Sequence, residues 1–240
     1  MAYNTGPKIV TDGLVLCLDA ADRNSYPGSG SNWYGLSGNA NNGTLVNGVG
    51  YNSANGGSLV FDGVNDYVGI SDNVSVSSVG NENFSLTAFV KVNTSANTKN
   101  ILRRDNISTQ GGENRRVIAL SVSSAGFPTL GVFDGSSNAA IYSQNICDNN
   151  WHYLVGVYER ATNSIVQYLY ENGALRAQTV YNNTQSFNTS RQPWCVGNVN
   201  TLYNGEWYTG NIAQVSIYNK ALSANEVQQN YNATKGRFGL

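Results

Sequence analysis

Charge is scarce in this chain. Only 12% of its 240 residues are Asp, Glu, Lys or Arg, about half the share of an ordinary soluble domain. Lys and Arg number 14 against 15 Asp and Glu, a net charge of -1. Phosphate backbones are gripped by clustered basic residues, so nucleic-acid binding is not expected. Cysteine is nearly as scarce. The 3 present, Cys17, Cys147 and Cys195, are too few and too far apart for a disulfide framework or a zinc knuckle. Cys17 and Cys195 lie in the apolar runs LVLCLDA and PWCVGN and read as buried thiols, a usage that suits a reducing compartment. No apolar run approaches the roughly 20 residues of a membrane helix, so membrane insertion is not expected. The opening MAYNTGPKIV has no basic stretch followed by an apolar one, so no signal peptide is visible there. The single histidine, His152, leaves too few nitrogen ligands for a zinc site.

Aromatics are plentiful: 15 Tyr, 7 Phe and 4 Trp, enough to fill a core despite the low charge. They fall in short runs with β-branched residues, separated by clusters of Gly, Asn, Ser and Asp, which is the texture of antiparallel strands and turns. The expected strands are Leu14–Leu18, Gly57–Phe61, Tyr67–Ile70, Phe84–Val92, Ile101–Arg104 and Arg116–Val122. Beyond them come Thr129–Phe133, Trp151–Tyr158, Ile165–Glu171, Ala174–Val180, Pro193–Val196 and Tyr208–Tyr218. In FSLTAFVKV, Phe84, Leu86, Ala88, Val90 and Val92 share one face, while Phe89 breaks the polar alternation of the other, as expected where that face is also covered. Asn172-Gly173, between two alternating runs, is a strong hairpin signal. One helix is expected near the end. Ser223 and Glu226 form a capping box ahead of an apolar stripe of Val227 and Tyr231, and Gly236 is placed to end it. The stretch from Asp22 to Asn55 reads as an ordered loop layer with one short strand at Gly43–Val46.

Several segments, in this order, then resemble one family. GLVLCLDA, NNGTLVNGVGY, SLVFDGVNDYV, NFSLTAFVKV, WHYLVGVYE, YLYENGALRAQ, WCVGN and GNIAQVSIYNKALSANEVQQNY are similar to the concanavalin A-like lectin/glucanase superfamily, in its laminin G-like branch. The resemblance implies an all-β, two-sheet antiparallel jelly-roll sandwich with one short C-terminal helix. Residues 1–12 would be an N-terminal arm, 13–233 the sandwich and 234–240 a C-terminal tail. The ends MAYNTGPKIVTDGLVLCLDA and NYNATKGRFGL also resemble laminin G-like virion proteins of tailed bacteriophages. That implies a non-enzymatic structural part, a capsid decoration or a head or tail fibre module, assembled in the host cytoplasm. Its partners would be other virion proteins, in a homo-oligomer, and host surface glycan. A lectin or receptor-binding adhesion module is the alternative, and a glycoside hydrolase the third.

Glucanases of this fold carry their carboxylates on one strand in a Glu-x-Asp-x-Glu pattern, with one as nucleophile and one as acid/base. None of the six Glu here has an acidic residue two positions away, so same-strand catalysis is not expected and no catalytic residue is assigned. His152, in WHYLVGVYE, occupies a core-strand position of the family and reads as structural; no GxSxG elbow accompanies it. Many laminin G-like domains hold one calcium at the sandwich rim. Asp62 and Asp66 are the candidates for one structural calcium, though Asp and Asn around Gly also make a tight turn unaided. No other cofactor is implied. For glycan, sugar rings stack on aromatic faces and amides read hydroxyls. Two loops fit, one with Trp33 and Tyr34, the other with Tyr203, Asn204, Glu206, Trp207 and Tyr208. The same aromatics would serve equally to pack the loop layer onto the sandwich. Trp151 and Trp194 are assigned to the core. Arg103, Arg104, Arg115 and Arg116 read as solvated strand ends, with an acidic glycan or a neighbouring subunit as the alternative partner.

Overall fold

A computed structural model describes residues 8–80, 82–94, 96–106, 116–133, 137–160, 164–181, 193–198 and 206–240. In chain order the strands are β1 (Leu14–Asp19), β2 (Asn32–Trp33), β3 (Gly43–Val46), β4 (Gly50–Asn52), β5 (Ser58–Asp62) and β6 (Tyr67–Ile70). Next come β7 (Phe84–Val92), β8 (Lys99–Asn106), β9 (Arg116–Val122), β10 (Pro128–Phe133) and β11 (Ser137–Ile141). The last are β12 (Trp151–Arg160), β13 (Ile165–Glu171), β14 (Ala174–Tyr181), β15 (Cys195–Val196) and β16 (Thr209–Tyr218). A single-turn helix α1 (Val74–Ser77) follows β6, and α2 (Ala224–Thr234) follows β16.

The strands make two antiparallel sheets of eight. The first runs β14-β13-β12-β7-β16-β5-β4, with β1 beside the C-terminal half of β16; the second runs β11-β10-β9-β8-β15-β6-β3-β2. Alternation along each strand sends one set of side chains between the sheets. From β7 that set is Phe84, Leu86, Ala88, Val90 and Val92, from β9 Ile118, Leu120 and Val122, and all belong to one continuous core. Burying a side chain of this kind stabilises by roughly 1.5–3 kcal/mol.

The outer face of the first sheet is covered as well. Phe89, Tyr153, Val155, Val157, Tyr170 and Tyr218 project there and pack with Val10, Leu222, Val227 and Phe238. Phe238 stacks on Phe89 with ring centroids 4.4 Å apart and touches Trp151 at 4.6 Å. Helix α2 begins at the Ser223–Glu226 capping box and is docked by polar bonds within this layer. Asn230 accepts from the Val10 N–H at 2.7 Å and donates to the Tyr218 hydroxyl at 3.1 Å. Gly236 does not end the helix: a 3-10 turn, Lys235–Phe238, continues through it. The left-handed residue is Gly239, at φ 72°, because the chain must reach Phe238 before it can leave the surface.

The Asn172-Gly173 hairpin joins β13 to β14, with φ at 50° and 80° as a type I′ turn requires. Within Asp22 to Asn55 the expected strand at Gly43–Val46 forms, flanked by the short strands β2 and β4.

Candidate functional site

The outer face of the second sheet is built differently. Across it runs one registered row: Thr44 on β3, Gly69 on β6, Cys195 on β15, Arg103 on β8, Ala119 on β9, Gly131 on β10 and Ala139 on β11. Four of the seven are Gly or Ala, so little side chain rises from the floor of this face around Arg103. No helix covers it among the described residues. Gly69, Gly131 and Ala139 are half-buried.

Arg103 and Arg104 correct the expectation of solvated strand ends. Arg103 is 5% exposed. Its Nε donates to Asp105 Oδ1 at 2.9 Å and its Nη2 to Asp105 Oδ2 at 3.4 Å. Its Nη1 pairs with Glu206 Oε2, which also accepts from Asn100 Nδ2 at 3.1 Å. Strand alternation sets Arg103 and Asp105 on one face, and Glu206 arrives from the segment entering β16. Arg104 points the other way, donates to the carbonyls of Val76, Ser77 and Val79 at the end of α1, and lies over the Trp194 ring. A buried cation requires such partners. Arg115 and the side chain of Arg116 lie outside the described residues.

Trp207, next to Glu206, stands against Tyr67 of β6, with ring centroids 6.4 Å apart and planes tilted by 41°. Both rings are half-buried. A two-ring platform therefore adjoins a rigid set of carboxylate, guanidinium and amide groups on a low floor.

The other expected glycan residues divide. Trp33 has 0% exposure and belongs to the core between the sheets, so it has no free face for a sugar. Tyr208 is likewise at 0%. Its hydroxyl donates to the carbonyls of Lys91 and Asn211, both at 3.2 Å, and its ring meets Phe61 edge-on. Both had to be corrected because an aromatic next to a loop can point inward, a choice made by partners far along the chain. Tyr34 is 42% exposed, but Trp33, beside it, turns the loop's larger ring away. Tyr203 and Asn204 lie outside the described residues.

Asp62 and Asp66 close the turn between β5 and β6. Asp62 Oδ1 accepts from the Val64 N–H at 2.8 Å, and Asp66 Oδ2 from the Asp62 N–H at 3.1 Å. Gly63, at φ +79°, sits so close that an added Cβ would meet Thr209 Oγ1 at 2.0 Å. Asp66 Oδ1 is buried without a partner, and burial pushes the Asp66 carboxyl up from its ordinary value. Calcium gathers six to eight oxygens. The pair brings the start of such a sphere, and no group of three His, Cys, Asp or Glu is placed to hold a metal ion among the described residues.

His152 is held on both sides. Nδ1 lies 2.9 Å from Glu171 Oε1 and Nε2 3.0 Å from Asp148 Oδ1. Burial alone would lower its pKa, but the bonds to Glu171 and Asp148 outweigh it and raise it. With both nitrogens engaged, the ring has no face for a substrate proton. Burial takes the Cys17 thiol up to about 11, so it is inert as a nucleophile.

Residues 61–228 match the laminin G 3 family, described as the concanavalin A-like lectin/glucanases superfamily. The chain belongs to that family. The two antiparallel sheets and the helix near the C-terminus are consistent with a jelly-roll sandwich. Among solved structures it is similar to domain 4 of AbnA, an extracellular arabinanase from Geobacillus stearothermophilus, in complex with arabinotriose. There the identity is 16%, the TM-score 0.68, and the match covers 91% of this chain and 98% of that one. It is similar also to Trypanosoma rangeli sialidase in complex with sialic acid, at 14% identity and TM-score 0.67, over 98% of this chain but 36% of the sialidase. A structure of botulinum neurotoxin type C, whose cell entry depends on interaction with two ganglioside molecules, gives 16% identity and TM-score 0.69 over 94% and 52% of the two chains. The chain thus spans a minor part of the sialidase and about half of the toxin structure. No curated protein sequence matches it.

Proposed function

We propose that this member of the family is a non-catalytic carbohydrate-binding module that takes saccharide on the outer face of its second sheet. The observation that carries this is the Tyr67–Trp207 platform beside the Arg103–Asp105–Glu206–Asn100 network. A sugar ring lies on the aromatic pair, and its hydroxyls reach the Glu206 carboxylate, whose side chain is 37% exposed and is held by Arg103 and Asn100, so little side-chain freedom is lost on binding. The small residues of the transverse row leave room for the ring. The arabinanase domain supports the proposal, because it is matched over nearly its full length and was solved with an oligosaccharide.

Catalysis is not part of the proposal. The two carboxylates on this face are both engaged with one guanidinium, and His152 is clamped. The setting proposed is a tailed-phage virion, as a capsid decoration or fibre module in a homo-oligomer, assembled in the host cytoplasm. It rests on the two chain ends that resemble such proteins. Calcium at Asp62 and Asp66 remains a secondary proposal, read from the unpartnered Asp66 Oδ1. It is tested by whether calcium raises the melting temperature of the wild type but not of Asp66→Asn.

A glycan array followed by calorimetry tests the central proposal. Wild-type protein should bind at least one oligosaccharide, and Trp207→Ala should weaken that binding tenfold or more with the fold intact. Silence across the array, or binding unchanged in Trp207→Ala, overturns it. Release of reducing ends that persists through purification would replace the binding module with an enzyme, and mass spectrometry of purified virions tests the setting.

A further inference from the structure

A pocket of about 60 Å³ opens on the first sheet, outside the layer under α2, lined by Asn52, Ala54, Asn55, Ser58, Lys91, Trp151 and Asn211. Its floor is a registered outward row in which Trp151 pairs with Lys91 and Lys91 with Asn211. The Tyr67–Trp207 platform belongs to the other sheet, so the two places are separate.

The polar groups here have been partly used, and what is left over has one character. Asn55 is fully engaged. Its Oδ1 accepts from Trp151 Nε1 at 3.3 Å, and its Nδ2 donates to the Arg237 carbonyl at 3.0 Å. Its backbone is left-handed, at φ 54°, so this wall is held in a costly shape by its bonds. Ser58 Oγ accepts from Asn211 Nδ2 at 3.1 Å, which leaves the hydroxyl proton to donate. Asn52 Oδ1 accepts from the Ala54 N–H at 2.9 Å, which leaves its NH₂ to donate. Lys91 is half-buried, and among the described residues no carboxylate stands within ion-pairing distance of its ammonium. An ammonium, a hydroxyl and an amide donor thus line one small hollow, beside the side-chain oxygen of Asn211.

We propose that this pocket is a second binding site, for the carboxylate of an acidic saccharide such as a uronic acid. A cation with no carboxylate partner among the described residues, with a hydroxyl and an amide donor beside it, favours an anion. About 60 Å³ admits a few water-sized groups, enough for a carboxylate and the carbon bearing it. A whole drug-sized ligand needs several hundred Å³, so the rest of the ligand stays outside. The acidic saccharide rests on the carbohydrate reading above; the carboxylate site rests on Lys91 and its neighbours alone.

Titration of the protein with glucuronate, its methyl ester, and the peptide amide of N-acetylaspartate, followed by NMR, tests this. Glucuronate should bind at least tenfold more tightly than the ester. Lys91→Gln should erase that difference, and Asn52→Ala, at an exposed position, should reduce it without touching the core. Trp207→Ala should leave the difference intact, so a failure of the first face and a failure of this pocket are told apart. Equal binding of acid and ester, an acid preference that survives Lys91→Gln, or aspartate binding as tight as glucuronate each overturns the proposal.

Discussion

The two outer faces of this sandwich are both made of antiparallel strands and carry opposite kinds of side chain. On the first sheet the outward residues are large and apolar, Phe89, Tyr153, Val155 and Tyr218, and the chain returns twice to cover them, with Val10 at one end and Phe238 at the other. On the second sheet the outward row is Gly69, Cys195, Arg103, Ala119, Gly131 and Ala139, and its polarity sits in one buried ionic knot with an aromatic pair at the side. A face with large apolar residues must be covered to be stable. On the second face no helix packs among the described residues, and the charged groups are held still by one another. The first face carries a second apolar layer, and the second is the face proposed for recognition.

That division can be broken from both sides. The largest expected effect is Arg103→Met, which leaves Asp105, 2% exposed, as an unpaired buried carboxylate. The cost should be about 3–5 kcal/mol by denaturant unfolding, and Arg103→Met with Asp105→Leu should recover much of it. Close behind is Phe238→Ala, expected to cost about 3 kcal/mol through the lost stack on Phe89 and Trp151 while leaving glycan binding unchanged. Trp207→Ala should do the reverse, with binding weakened tenfold or more and stability altered by no more than about 0.5 kcal/mol.

Smaller still is the effect of pH on the clamp at the end of β12. The raised pKa of His152 means that its contribution is fully present below its unfolded value of 6.5 and is lost as pH rises through the folded one. Asp148 runs oppositely: burial pushes it up, but bonds from His152 and Asn150 hold it at about 2, against an ordinary 3.8. Its contribution is present above that ordinary value and is lost as pH falls toward 2. Melting temperatures of His152→Gln should therefore lack the decline expected of the wild type as pH rises above 6.5. The smallest effect is Ser223→Ala, which removes the cap of α2 and should cost about 1 kcal/mol, read as an earlier loss of helix on heating.

Much of this was legible along the chain because it rests on local periodicity. Tyr67–Ile70, Phe84–Val92 and Arg116–Val122 form as strands with the bounds their alternation predicts, and Asn172-Gly173 turns as only residues tolerant of positive φ can. Phe89 announced the second apolar layer by breaking an otherwise polar face. The strands β2, β4 and β11 carried no such pattern, since GYN and SNAAI are strands only because a neighbour offers them hydrogen bonds. The site was harder to read for the same reason. Trp207 was picked out, but Tyr67 was not, because the two meet only when β6 and the entry to β16 are brought side by side.

The sequence by itself determined that this would be an antiparallel sandwich with a capped terminal helix, because side-chain alternation, turn residues and capping are set within a few positions of one another. Only the tertiary structure decided which aromatics face inward and which charges are buried. Trp33 and Trp207 stand in similar polar loops, yet one has no exposed surface and the other forms half of a platform. Arg103 reads as a strand end until Asp105 and Glu206 close on it. Burial depends on what arrives from a hundred residues away, and that is a property of packing.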